Sequence, residues 1–372
     1  MIQITDKHNC CGCSACVQRC PKQCITMQED NEGFFYPIVD ETSCIECRLC
    51  ETVCPVLNQV GERKPMTCYA AKNIDDAVRF KSSSGGVFMP LAVTVIEKGG
   101  VVFGACYNYL WEVEHVAVTK VEELDVLRGS KYVQSKIGGT FKEVEAYLKD
   151  GRDVLFSGTP CQVAGLKKYL RKDFDNLITI DVVCHGVPSP MVWRDYISQL
   201  PTDKITEICM KDKSTGWRNY SFSLRDKDNN TILSEKASYN KYLLAFIRNL
   251  TVRPSCFVCP AKAGKSCSDI TLADLWGIEK IIPEMDDNMG ASFVCCNTEK
   301  GDRMLKSINI DIAAIDYDTT VPFNPCIYKS TSEPSERVAF WNKYERKGIL
   351  ALSSIKKSRP SIIKRMFRRI IR

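Results

Sequence analysis

Between Cys10 and Pro55 the chain repeats the spacing C-x2-C-x2-C-x3-C-P, first as Cys10, Cys13, Cys16, Cys20-Pro21 and again as Cys44, Cys47, Cys50, Cys54-Pro55. That is the spacing of bacterial two-cluster ferredoxins. Three thiolates of each run curl round one corner of a cubane, and the fourth reaches across to the other cluster. The spacing therefore predicts one [4Fe-4S] cluster on Cys10, Cys13, Cys16 and Cys54, and a second on Cys44, Cys47, Cys50 and Cys20. The proline after each fourth cysteine turns the chain away, because it has a fixed φ and no N–H. Such a chain is committed to one-electron chemistry.

Zinc and disulfides compete for the same residues. Structural zinc takes four ligands, commonly as two C-x2-4-C pairs, and has no need of three close cysteines plus a distant fourth. Disulfides call for an oxidising compartment, yet Met1 to Lys7 carries no apolar signal stretch, and the 21 cysteines are odd in number. A reducing, cytoplasmic setting is the expectation. Cys11 and Cys24 fall outside the pattern and read as bystanders.

The 372 residues suggest two or three domains. Residues 1–60 are expected to form the ferredoxin unit, and the polar, turn-rich stretch 58–65 reads as a linker. A larger part follows over 66–350, with an N-terminal portion to about 150 and a C-terminal one from 151. No apolar run approaches the ~20 residues that span a bilayer. The net charge of +6 gathers at the end, where residues 356–372 hold eight Lys/Arg and no acid. Ile362, Ile363, Met366, Phe367, Ile370 and Ile371 form an apolar helical stripe there, so a basic amphipathic tail could touch an anionic membrane face or a partner. No basic face interleaved with stacking aromatics is evident, which argues against nucleic acid.

The larger part alternates. Thr67–Ala71, Val101–Ala105, Asp153–Phe156 and Leu177–Val183 read as strands; Val87–Glu97, Phe141–Lys149 and Val163–Leu170 read as helices. That alternation predicts an α/β layer fold, with ligands beyond the carboxyl ends of the strands. Ser82 to Gly86 opens a helix and is either an anion cradle or a plain N-cap. The turn Ser157 to Gln162 is a second candidate cradle, and no motif ties a histidine to Cys161 as a nucleophile. Cys256 and Cys259 form a C-x2-C pair that suits zinc or iron–sulfur, and Cys161 and Cys184 at strand ends can supply two more thiolates. Cys68, Cys106, Cys209, Cys295, Cys296 and Cys326 lack ligand spacing and read as buried small hydrophobes. His185 is a candidate proton donor or an ordinary hydrogen-bonded histidine.

The segments S-S-S-G-G-V (82–87), L-R-G-S-K-Y-V-Q-S (127–135), F-S-G-T-P-C-Q-V-A-G-L (156–166), C-H-G-V-P-S-P (184–190) and C-F-V-C…D-I-T-L-A-D-L-W-G (256–277) resemble the family of coenzyme F-420 hydrogenase/dehydrogenase beta subunits, from about Thr67 to past Gly277. Within the family, the chain resembles bacterial members fused to a two-cluster ferredoxin and found with polysaccharide-synthesis genes. The resemblance implies a small ferredoxin-like domain followed by a larger α/β flavin-binding domain. It implies FAD and a third [4Fe-4S] cluster on Cys161, Cys184, Cys256 and Cys259, with Cys267 as a competing ligand. FAD would lie near Ser83, Ser84, Gly85, Gly86, Lys131, Tyr132, Gly158, Thr159 and Gln162. The implied activity is that of a ferredoxin- or F-420-linked reductase or dehydrogenase, passing electrons between clusters and FAD to an organic substrate. That substrate would be a deazaflavin or a polysaccharide precursor, with a redox partner protein and a cytoplasmic place at the inner face of the membrane. Two alternatives stand beside it: a non-catalytic electron-transfer subunit, and a redox-sensing iron–sulfur protein.

Overall fold

The computed structural model describes residues 1–355. The basic stretch 356–372, and with it the expected amphipathic tail, lies outside the described residues.

The cysteine-rich unit holds two short helices, α1 (Ala15–Arg19) and α2 (Leu49–Thr52), and an antiparallel hairpin of β1 (Ile25–Glu29) and β2 (Phe35–Val39). The repeat visible in the cysteines recurs in the backbone. Gly12 and Glu46, each two residues after the first cysteine of a run, have φ of +71° and +52°. Ser14 and Arg48, each following the second cysteine, have φ of +61° and +58°. Left-handed residues at these points curl the chain tightly enough to turn successive thiols inward, at a steric cost for the three that are not glycine.

From Thr67 the chain builds a large sheet: β3 (Thr67–Asn73), helices α3 (Asp76–Lys81) and α4 (Phe88–Glu97), β4 (Val101–Tyr107), β5 (Val113–Val118), α5 (Thr140–Lys149), β6 (Val154–Gly158), α6 (Pro160–Leu170) and β7 (Leu177–Val182). Helix α7 (Pro190–Ile197), a separate antiparallel sheet of β8 (Glu207–Asp212), β9 (Ser221–Arg225) and β10 (Thr231–Lys236), and α8 (Lys241–Ile247) intervene. The chain then returns with β11 (Ile270–Asp274), β12 (Ser292–Cys296) and β13 (Ile310–Ala314), giving the eight-stranded order β13-β3-β12-β11-β7-β6-β4-β5. Strands β4, β6, β7 and β11 are mutually parallel. Their carboxyl ends at Tyr107, Gly158, Val182 and Asp274 therefore share one edge, where ligands of such sheets bind.

Continuous apolar runs make these central strands, because both faces are covered. On one face Leu91 and Ala92 of α4 pack on Val102, Leu155 and Ile180; on the other, Phe141 and Val144 of α5 and Val163 and Leu166 of α6 pack on Val101, Phe103, Val154 and Phe156. Cys11, Cys13, Ala15 and Val53 join that second core. The cysteine-rich unit thus packs directly on the sheet's helices, and the stretch 58–65 is tied down by Arg63, whose N–H donates to the Ala263 carbonyl at 2.9 Å. Gln18 of α1 accepts from the Phe141 and Lys142 N–H groups at 2.9 and 3.2 Å, so one unit caps a helix of the other.

Gly165 of α6 marks the closest approach. A methyl there would stand 2.8 Å from Cβ and 3.0 Å from Sγ of Cys13. Gly165→Ala gains about 1 kcal/mol of helix propensity but overpacks a core contact at about 1–3 kcal/mol, and backbone is fixed on both sides. We expect a lower melting temperature with part of the iron lost from the Cys10 set, read by thermal unfolding and iron assay. An unchanged melting point and iron content would contradict this packing.

Candidate functional site

The curled backbone places the predicted ligands around two separate spaces. Cys10, Cys13, Cys16 and Cys54 line one pocket, and Cys20, Cys44, Cys47 and Cys50 line another. Each fourth cysteine stands with the opposite run, as the crossing rule requires. Every cysteine is free of disulfides. Among the described residues no three His, Cys, Asp or Glu are placed to hold a single ion. The Cys10 set is buried throughout, whereas Cys47 is exposed. Burial and neighbouring thiols push Cys16 up to about 12, so it keeps its proton until a bound cation displaces it.

The two bystanders need correction. Cys24 lines the second cavity with its Sγ 3.4 Å from that of Cys20. Cys11 lines the first and lies against both Cys13 and Cys161. Their spacing fits no motif because it is the three-dimensional path of the chain that brings them in.

Cys161 sits in the first turn of α6, Cys184 just past β7, and Cys256 and Cys259 in and after the turn Pro254–Val258. Burial, with Cys161 close by, pushes up Cys184 to about 12, Cys259 to about 11 and Cys256 as well, while Cys161 itself is raised first by Cys11 and then by burial. The Cys267 Sγ lies 3.8 Å from the Lys265 carbonyl. The buried Lys262 ammonium donates to the Cys184 carbonyl and, at 2.6 Å, to that of Cys326. His185 is held at both nitrogens, by Asn249 Oδ1 at 2.6 Å and Cys326 Sγ at 3.8 Å, and edge-on by Phe246. Burial lowers its pKa. Both ring nitrogens of His185 are thus engaged within the fold.

Sequence reasoning missed Arg253. Its side chain is fully buried, with Nε donating to the Cys10 carbonyl (2.8 Å), one Nη to Gln134 Oε1 (3.0 Å) and the other to the Phe35 carbonyl (2.9 Å). The Phe34 and Tyr36 rings flank it at 5.3 and 4.2 Å. Gly12 leaves room for it, since a methyl there would meet Nη at 2.9 Å. Only its partners, 119 to 243 residues away in sequence, show what it does.

The residues expected near a flavin divide. Thr159 and Gln162 form a capping box on α6, and the Gln162 amide also donates to Ser135 Oγ at 2.8 Å, so that turn's polar groups are spent inside the fold. Gly158 lies against the Gln162 side chain. At the other candidate, Ser84 and Gly85 are tied to Ala291 and Ser292, while Ser83 Oγ accepts from Ser130. Helix α4 then starts at Val87 with no side-chain cap, which leaves N–H groups and the dipole available to an anion. Lys131, which burial lowers to about 8, donates only to the Arg128 and Gly129 carbonyls and sits 5.9 Å over Tyr107. Tyr132 packs on Phe246 at 5.2 Å. Both turns thus spend most of their polar groups inside the fold, and Lys131 hydrogen-bonds only backbone carbonyls among the described residues.

Known families match the two parts of the chain separately. Residues 9–58 match the 4Fe-4S dicluster domain, and residues 151–318 match the C terminus of the coenzyme F420 hydrogenase/dehydrogenase beta subunits. The chain is 26% identical over 192 residues to one of the F(420)H(2) dehydrogenase subunits of Methanosarcina mazei, covering 48% of this chain and 54% of that protein. It is 26% identical over 211 residues to the uncharacterized protein MJ1349 of Methanocaldococcus jannaschii, covering 47% and 56%. The chain thus spans about half the length of the curated relatives it matches. A chain of the F420-reducing [NiFe] hydrogenase complex from Methanosarcina barkeri superposes with a TM-score of 0.48 at 17% identity, over 79% of this chain and 93% of that one. No helix among the described residues is long and apolar enough to cross a membrane. The match of residues 9–58 to a 4Fe-4S dicluster domain and of residues 151–318 to the C terminus of the coenzyme F420 hydrogenase/dehydrogenase beta subunits together point to an iron–sulfur electron-transfer protein.

Proposed function

We propose that the chain is an iron–sulfur flavoprotein oxidoreductase that conducts electrons between an exposed entry point and an organic substrate at the carboxyl edge of the sheet. One observation carries the reading: the thiols of the buried Cys10 set continue, through Cys11, into the Cys161 set at that edge. When bound, the clusters supply one-electron transfer and the flavin couples single electrons to two-electron chemistry.

The residues divide the work. Cys44, Cys47, Cys50 and Cys20 hold the outer end, where the exposed Cys47 lets a redox partner approach. Cys10, Cys13, Cys16 and Cys54 hold the middle. Cys161, Cys184, Cys256 and Cys259 hold the inner end, stiffened by Lys262 on the Cys184 carbonyl. Ser83, Ser84, Gly85 and Gly86, with the uncapped start of α4 and the Lys131 ammonium, would take the flavin's phosphates. The similarity to an F(420)H(2) dehydrogenase component makes a deazaflavin the first substrate to try and a larger complex the natural setting.

Protein purified without oxygen tests this. We expect about twelve irons per chain, three four-iron clusters on twelve thiolates, together with one acid-released FAD. Eight irons and no flavin would sink the reading. If reduced flavin is reoxidised by a deazaflavin or a nucleotide sugar alone, the chain is itself the enzyme; if only an added protein does so, it is an electron-transfer subunit.

A further inference from the structure

Arg253 is a cation with no carboxylate. Its side chain is fully buried, and its hydrogen bonds go to two backbone carbonyls and the neutral amide of Gln134. Among the described residues it forms no ion pair, unlike Arg79 with Asp287 or Arg337 with Glu32. Two aromatic faces offset only part of the cost of burying such a charge, and a lone buried charge is otherwise strongly destabilising. Its surroundings show where the missing counter-charge belongs. Cys10, Cys11 and Cys256 all lie within electrostatic reach of the guanidinium, and Cys161 feels it too.

The two ends of this residue also touch both ligand segments. Its side chain holds the Cys10 carbonyl, and its own carbonyl accepts the Cys256 N–H at 3.0 Å. Its N–H in turn donates to the Val187 carbonyl, three residues beyond Cys184. Gln134, which shares its guanidinium, donates from its own amide to the Cys11 carbonyl at 3.1 Å.

We propose that Arg253 is the common counter-charge of the Cys10-set and Cys161-set clusters and sets both of their reduction potentials. The inference rests on the reading of Cys161, Cys184, Cys256 and Cys259 as cluster ligands. Thiolate-ligated clusters are anionic, and each one-electron reduction adds one negative charge to a cluster. A fixed cation in a dry site favours the reduced form, and net charge and hydrogen bonding are the levers by which protein tunes such centres. With both clusters bound, a one-electron transfer between them would oxidise one and reduce the other, so the net charge that the guanidinium faces would stay the same. Arg253 is thus a positioning and tuning residue shared by two centres, its contacts being with the Cys10 and Cys256 segments.

The test is a potentiometric titration of the complete chain, followed by electron paramagnetic resonance, with each signal assigned through cysteine variants. Arg253→Gln should lower the midpoint potentials of the middle and inner clusters and leave the outer one unmoved. Arg253→Lys keeps the charge and should restore most of the shift, which a purely structural staple would not do. Gln134→Glu neutralises the guanidinium with Arg253 still in place and should lower the same two potentials, so the question is answered even where Arg253→Gln does not fold. Twelve irons with three unmoved potentials, or three equal shifts, overturns this role alone. Eight irons in the unaltered chain removes the inner cluster and the proposal with it.

Discussion

Replacing Cys256 with serine should remove four irons per chain, from about twelve to about eight, and leave the two ferredoxin-type signals in place. Cys256 is half-buried in a short turn, with Cys161, Cys184 and Cys259 within electrostatic reach. A serine hydroxyl there keeps the volume but loses the soft thiolate that iron–sulfur clusters select. The three remaining thiols, each half-buried, leave one iron of a four-iron cluster without its thiolate. Electron passage from the outer clusters to the sheet edge should fall by more than about 100-fold, since even outer-sphere partners of metal ligands cost about 10–100-fold when removed. Two controls sharpen the result. Cys267→Ser should leave iron unchanged, its thiol being turned to the Lys265 carbonyl. Cys326→Ser should do the same, because that thiol contacts His185 instead. Loss of one zinc from the Cys256 variant, rather than four irons, would refute the inner cluster.

Which parts of this arrangement can be read from sequence follows from how local their causes are. The eight ferredoxin-type thiolates are legible because three of each four lie within one curl of the chain and the fourth follows a fixed crossing rule. Strands β4, β6 and β7 are legible because burial on both faces writes an unbroken apolar run, as in Val154-Leu155-Phe156. The insertion of antiparallel β12 between β3 and β11 is not, since pairing order is a long-range property that alternation does not encode. Thr159 and Gln162 suggest an anion cradle from sequence, although T-x-x-Q is itself a capping signature; the local explanation is available and sufficient. Cys11 and Arg253 are invisible for the opposite reason. Cys11 gains its place only when α6 brings Cys161 against it. Arg253 gains its place only when the Cys10 carbonyl, 243 residues away, reaches its guanidinium.

The two crossing ligands should prove unequal. Cys54→Ser should strip the middle cluster, the signal lost being the one that Cys10→Ser also removes, even though Cys54 belongs to the second run. The spare thiol of that cavity, Cys11, is buried and pressed between Cys13 and Cys161, so it cannot turn to replace the missing ligand. Cys54 also packs with Cys16 and Cys50 in the core of this small unit, where cluster binding is itself folding free energy; a clear drop in melting temperature should accompany the loss of four irons. Cys20→Ser meets a different neighbourhood. Cys24 Sγ stands 3.4 Å away in the same cavity and needs only a small shift to take over, so iron should stay close to the unaltered value. Only the Cys20→Ser/Cys24→Ser pair should lose the outer cluster. The functional consequence differs as well: with the middle cluster absent, electrons admitted at the exposed Cys47 end have no path inward, although about eight irons remain bound. Equal iron loss in the two single variants would show that Cys24 does not engage and that the outer cavity, like the middle one, has no ligand in reserve.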